Sequence, residues 1–189
     1  MQQLRVMSST KRRAAAQGFT LVEVTIAVVV LSLIGFVIVP QVLKWLRRTK
    51  TAEATQNLQK IYDSSVSYFE AQHGEDGAVA PRRFPPSAGP TPAIDSCCPQ
   101  PGHKCDPALV ASQWTASPTW SALKFSMKEP FYYWYRYDSA GEDRSATFSA
   151  WAFGNLDCDK EFSTFMRGGA VDANNAPTAG ATVVDKETE

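Results

Sequence analysis

The sequence predicts an α+β fold in which one long N-terminal helix packs on a C-terminal antiparallel sheet of three to four strands. Three observations predict it. Residues 19–39 form an apolar run in which Glu23 is the only ionisable side chain. Residues 54–69 place apolar groups at helical spacing, and the stretch from about Trp120 to Arg167 alternates with period two.

As a helix the first run reaches about 30 Å, enough to cross the hydrocarbon of a bilayer. A carboxylate in such a segment costs on the order of 2–3 kcal/mol near the centre and less towards an end. Glu23 therefore either lies among headgroups without a role or awaits a cation from another molecule. Pro40 removes one backbone hydrogen bond and crowds the carbonyl of Phe36, at a cost of about 3 kcal/mol. With Gly35 nearby, residues 35–40 are a candidate kink or locally melted stretch. The helix is expected to resume, because Ala54, Leu58, Ile61, Tyr62, Ser65 and Phe69 keep a 3.6-residue spacing while Glu53, Gln56, Gln59, Lys60, Asp63 and Glu70 take other positions. Gly74, after His73, is the expected stop.

Beyond the helix, eight of the 12 prolines fall between Pro81 and Pro107, so this part reads as an irregular connection over the helix. Phe131, Tyr133, Tyr135 and Tyr137 share one parity and Tyr132, Trp134 and Arg136 the other, as in a strand covered on both sides. Ser139-Ala140-Gly141 reads as a turn and 146–153 as the second strand of a hairpin. Further strands are expected near 123–127 and 162–167, and 168–189 reads as a loose tail or a final edge strand. The alternation already places the aromatic rings in a helix–sheet core, which outweighs a stacking platform for carbohydrate.

Residues 1–18 hold Arg5, Lys11, Arg12 and Arg13 and no acidic residue. Ala14-Ala15-Ala16 precedes the hydrophobic region, whereas a secretory signal is cut after it. A basic leader followed by Gly18-Phe19-Thr20-Leu21-Val22-Glu23 at the head of an apolar helix resembles the prepilin signal, a class III signal peptide, of type IV pilins and pseudopilins. The resemblance implies a lollipop-shaped chain with a leader at 1–18, a transmembrane or filament-core helix at 19–39, an amphipathic helix at 40–74 and a head at 75–189. It implies cleavage between Gly18 and Phe19 and N-methylation of Phe19 by a prepilin peptidase. It also implies that Phe19 and Glu23 are assembly determinants, the amine of one subunit meeting the carboxylate of its neighbour. The implied partners are other pilins in a helical filament, an inner-membrane assembly platform, and inner-membrane lipid before assembly. Flanking charge does not set orientation, because Lys44, Arg47, Arg48 and Lys50 balance the basic leader. The cytoplasmic N-terminus follows from the resemblance alone.

In an extracytoplasmic protein the four cysteines favour disulfides. Adjacent Cys97 and Cys98 are a strained pair, which leaves Cys97–Cys105 with Cys98–Cys158, or Cys97–Cys158 with Cys98–Cys105. A zinc site from Cys97, Cys98, His103 and Cys105 matches none of the common spacings. Residues 155–161 concentrate Asp157, Asp159 and Glu161, a calcium pattern that lacks the glycine and downstream glutamate of an EF-hand and includes Lys160. Related calcium sites occur in some type II secretion pseudopilins, and 154–165 is similar to an acidic turn in a group of Gram-negative pilins. We read the segment as a turn, with no metal and no cofactor expected.

The formal charge of the whole chain is zero, with 19 basic and 19 acidic residues, and removing the leader leaves about −4. No basic stripe marks a nucleic-acid site. Only two histidines exist, and neither has a nucleophile and orienting acid at informative spacing, so no enzyme is expected. The functional reading is a structural subunit of a type IV pilus-like filament serving adhesion, twitching motility or DNA uptake. The alternatives are a type II secretion pseudopilin or minor pilin that primes assembly and, from a different class, a membrane-anchored periplasmic binding module.

Overall fold

The computed structural model describes residues 19–71 and 81–187. Contacts divide the chain into two units, Met1–Gln41 and Val42–Glu189. Helix α1, Leu21–Glu70, begins in the first and continues in the second. The leader 1–18 and the expected stop at His73 and Gly74 lie outside the described residues.

In the first unit, the stretch Leu21–Val39 has a mean hydropathy of 2.8, and none of it is buried. Phe19, Leu21, Val22, Leu31 and Phe36 are all exposed. Helix α1 runs through both Gly35 and Pro40.

The second unit carries the head. Along this part of α1, Thr51, Ala54, Asn57, Leu58, Ile61, Ser65 and Phe69 are buried, a stripe that returns every three or four residues as a helix face must. The sheet is a five-stranded antiparallel meander in the order β1-β2-β3-β4-β5. Its strands are β1 Ala88–Thr91, β2 Tyr133–Ala140, β3 Thr147–Gly154, β4 Ser163–Val171 and β5 Pro177–Asp185. The expected three to four strands thus become five. Both additions are edges: β1 arises within the proline-rich connection, and β5 occupies the C-terminal segment read as a tail or edge strand.

The hairpin also differs in detail. Ser139 and Ala140 are paired with Phe148 and Thr147, so the turn starts only at Gly141. Gly141 has φ +76°, and a Cβ there would strike the Ser145 carbonyl, so glycine is needed at this corner.

No strand forms at 123–127. Two short helices precede it, α2 Pro107–Ala116 and α3 Pro118–Ala122. Asp106 caps α2 by accepting from the Ala108 N–H at 2.9 Å, and Ser117 caps α3 by accepting from the Trp120 N–H at 3.4 Å. A proline follows each cap, where its missing N–H is no loss. Helix α3 ends with Lys124 at φ 50°, the Phe125 N–H donating to the Trp120 carbonyl and the Lys124 N–H to that of Ser121. That is a Schellman stop, completed by the Trp120 and Phe125 rings 5.6 Å apart. Local capping thus consumes the residues that alternation had suggested for a strand.

Two aromatic groups fill the core between helices and sheet. Trp114, Trp120, Phe125 and Tyr135 meet mostly edge-to-face, Trp114 lying 5.5 Å from Trp120 and 5.6 Å from Phe125. Phe69, Phe84, Phe148 and Tyr137 form the other, with Phe84 4.6 Å from Phe148 and Tyr137 stacked on Phe148 at 5.5 Å.

Cys97 is paired with Cys105 and Cys98 with Cys158. The first closes a short loop of sequence separation 8, and the second ties that loop to the turn after β3 across a separation of 60.

Replacing Trp114, which is 1% exposed, by Ala should destabilise the head by about 3–5 kcal/mol in urea unfolding. In the chain-entropy model, removing the Cys98–Cys158 bridge by Cys98→Ser with Cys158→Ser should cost about 4 kcal/mol. Removing Cys97–Cys105 should cost about 2.5, the difference following from loop length. Equal losses in the two double variants would contradict this ordering.

Candidate functional site

The first turn of α1 holds the residues with the most specific sequence signal. Thr20 precedes the helix, its carbonyl accepting from the Val24 N–H at 3.1 Å and its hydroxyl oxygen from the Glu23 N–H at 3.2 Å. Thr20 is therefore the N-cap and Glu23 the third helical residue, the positions of a capping box. The signal was present in Thr20-Leu21-Val22-Glu23 but escapes a reading centred on the membrane run. A carboxylate in the first turn also faces the positive end of the helix dipole, which favours it there. Phe19 and Glu23 are exposed, one turn apart, on a segment whose apolar side chains are exposed as well. Gly18 lies outside the described residues.

Within the head, Glu53, which helical spacing sets off the apolar stripe, makes a long-range tie. The Glu53 carboxylate accepts from the Tyr132 N–H at 3.1 and 3.2 Å and from the Tyr133 N–H at 3.3 Å. It also accepts from the Tyr135 hydroxyl at 3.4 Å. These donors stand where β2 begins, just past Phe131, which bridges to Cys105. Tyr135 in turn accepts from the Asn57 side-chain amide at 2.8 Å, and Lys60 donates to the Asn57 carbonyl oxygen at 3.1 Å. Burial pushes the Glu53 carboxyl up from 4.5 to about 7, while its hydrogen bonds and the Lys104 charge pull the other way. Burial likewise raises the Tyr135 hydroxyl well above its ordinary value, keeping it a donor. No local signal marks Glu53, because its partners lie 79 to 82 residues away.

The acidic turn is committed to structure. The Asn155 side chain accepts from the Asp159 N–H at 3.1 Å and donates to the Asp159 carbonyl at 3.0 Å and to Asp95 at 3.3 Å. Asp159 accepts from the Glu161 N–H at 2.6 Å, and Glu161 is ion-paired with Lys186. Asp157, Asp159 and Glu161 are not brought together as ligands, and among the described residues no three His, Cys, Asp or Glu are grouped to hold a metal ion. Near the disulfides, His103 Nδ1 donates to the Cys98 carbonyl at 3.0 Å, and the paired cysteines leave no thiolate for zinc.

No family model matches the chain, and no solved structure matches it. Among curated proteins it is similar to the type IV major pilin protein PilA of Myxococcus xanthus (strain DK1622), with 34% identity over 53 residues. The match covers 28% of this chain and 24% of that protein, so the chain spans about a quarter of the relative's length. An apolar N-terminal helix, an antiparallel sheet after it and this partial match together fit the type IV pilin family.

Proposed function

We propose that the chain is a structural subunit of a type IV pilus-like filament. In this reading it enters the inner membrane with its N-terminus in the cytoplasm. A prepilin peptidase cuts between Gly18 and Phe19 and N-methylates Phe19, and an assembly platform then moves the subunit from lipid into a filament of like chains. The observation that carries the reading is the apolar stretch Leu21–Val39, none of it buried, with one carboxylate in its first turn. An apolar surface of that extent needs lipid or other helices as its surroundings. The new amine at Phe19 and the Glu23 carboxylate of a neighbour are then the two charges left to neutralise each other. In a low-dielectric bundle such a pair is strong, and either member left unpaired is costly. Gly35 and Pro40 are the proposed place for the helix to bend on extraction from the bilayer. The part of the chain in filament function is packing and surface display, not catalysis.

The test uses mass spectrometry and one substitution. N-methyl-Phe19 should be an abundant terminus in sheared surface filaments. A membrane form that retains residues 1–18 in wild-type cells would refute processing, and a methylated but scarce terminus would favour the pseudopilin or minor-pilin role. Glu23→Ala should remain inserted and processed but fall at least tenfold in filament incorporation, since losing about 1.4 kcal/mol per contact already gives that factor.

A further inference from the structure

We propose that the head carries a subunit contact of its own, in which a lysine-lined groove beside α1 receives the acidic end of the sheet of another copy of this chain. The inference rests on the filament reading and names a contact in it away from the N-terminal helices. The groove, about 580 Å³, runs between α1 and the segment that follows α3, and its lining includes Asn57, Lys60, Ser64, Lys124, Ser126 and Lys128. Glu129 is the one acid in that lining. Lys60 donates to the Asn57 side chain, whereas Lys124 and Lys128 are exposed and meet no acid of their own chain among the described residues. The Schellman stop fixes the Lys124 backbone, with its N–H on the Ser121 carbonyl, so this ammonium group is carried at a set place on the rim. A groove with three cations and one acid calls for an anionic occupant.

The matching charge lies elsewhere on the same head. The turn after β3 and the end of β5 carry five exposed acids, Asp157, Asp159, Glu161, Asp185 and Glu187, against Lys160 and Lys186. The Glu161–Lys186 ion pair holds the two segments together, and Asp157 shares a groove with Glu53. The acidic end is thus level with Glu53 on α1 and the lysine groove with Lys60, about two turns or about 11 Å further along the helix. Copies with parallel α1 helices shifted along their axis bring one level with the other, and copies in register do not. The contact is heterologous, acidic end on lysine groove, so each added copy presents a fresh groove and the series stays open, as a filament requires. Without the leader the chain carries about −4, so its copies repel at long range. Placing the acids of one copy on the lysines of the next turns that repulsion into local attraction and fixes the register.

The experiment uses the full chain, concentrated in detergent micelles as an equal mixture of ¹⁴N and ¹⁵N copies. Carbodiimide couples amines to carboxylates in contact, and mass spectrometry reads the products. Links joining Lys124 or Lys128 to Asp185 or Glu187 should contain both isotopes and weaken with added salt. In cells, Lys124→Glu with Lys128→Glu, both at exposed positions, should leave the chain inserted and processed but lower filament incorporation roughly tenfold. Adding Asp185→Lys and Glu187→Lys should restore most of it. Links confined to one isotope, full incorporation of the lysine variant, no restoration by the reciprocal exchange, or links from the groove to a foreign protein alone would each overturn the contact. Mixed-isotope links in a chain that never enters filaments would leave the contact standing and refute the filament reading, and normal filaments without these links would do the reverse.

Discussion

Alternate tyrosines of β2 bring hydroxyl groups into an apolar interior, and the helix has to meet that requirement. A buried hydroxyl left without a partner costs on the order of 1–3 kcal/mol, so the face of α1 laid against β2 cannot be purely apolar. Asn57 donates to the Tyr135 hydroxyl at 2.8 Å, and the Tyr137 hydroxyl donates to Ser65 at 3.0 Å. Between them Ala54, Leu58, Ile61 and Phe69 supply the apolar contact. Hydrophobic burial is non-directional and would tolerate a slide of the helix, whereas these bonds are made at one register only. The buried polar residues Asn57 and Ser65 in the stripe follow from this role, whereas the Thr51 hydroxyl donates to the Arg48 carbonyl of its own helix.

The remaining head elements are arranged around that interface by short-range chemistry. Asp106-Pro107 and Ser117-Pro118 start two helices, and Lys124 stops the second, which delivers Trp114 and Trp120 to the same side of the sheet as Tyr135 and Tyr137. The Trp120 indole N–H donates to Thr91 at 2.9 Å, joining this core to the edge strand β1. The disulfides then bind the connection to itself and to the turn after β3. A proline-rich segment with little regular pairing is thus held by two covalent links and by scattered hydrogen bonds, among them those of the Trp120 indole to Thr91, the Thr119 hydroxyl to the Pro86 carbonyl and the Ser139 hydroxyl to the Pro85 carbonyl.

The first unit obeys a different rule. Its exposed apolar side chains make no core of their own, and its local order comes from the helix itself and the Thr20 cap. Helices with apolar residues all round are stable when buried in lipid or among other helices. Such a segment is completed by its surroundings, whereas the head is completed by its own chain.

Sequence alone determined the apolar segment, the charge placed in its first turn, the helical stripe at 54–69 and the alternation of β2 and β3. Each is a periodic pattern carried by neighbouring residues, and periodicity survives without knowledge of partners. What only the tertiary structure decided is whatever depends on a partner far along the chain. Ala88-Gly89-Pro90-Thr91 has no intrinsic strand preference and becomes β1 because Tyr135 and Tyr137 present free pairing groups beside it. The cysteine pairing left open by composition is set by which sulfurs the turn after β3 approaches. Glu53 looked like an ordinary solvent-facing acid of a helix. Its role depends on backbone N–H groups 79 residues away, and nothing in its neighbourhood encodes them.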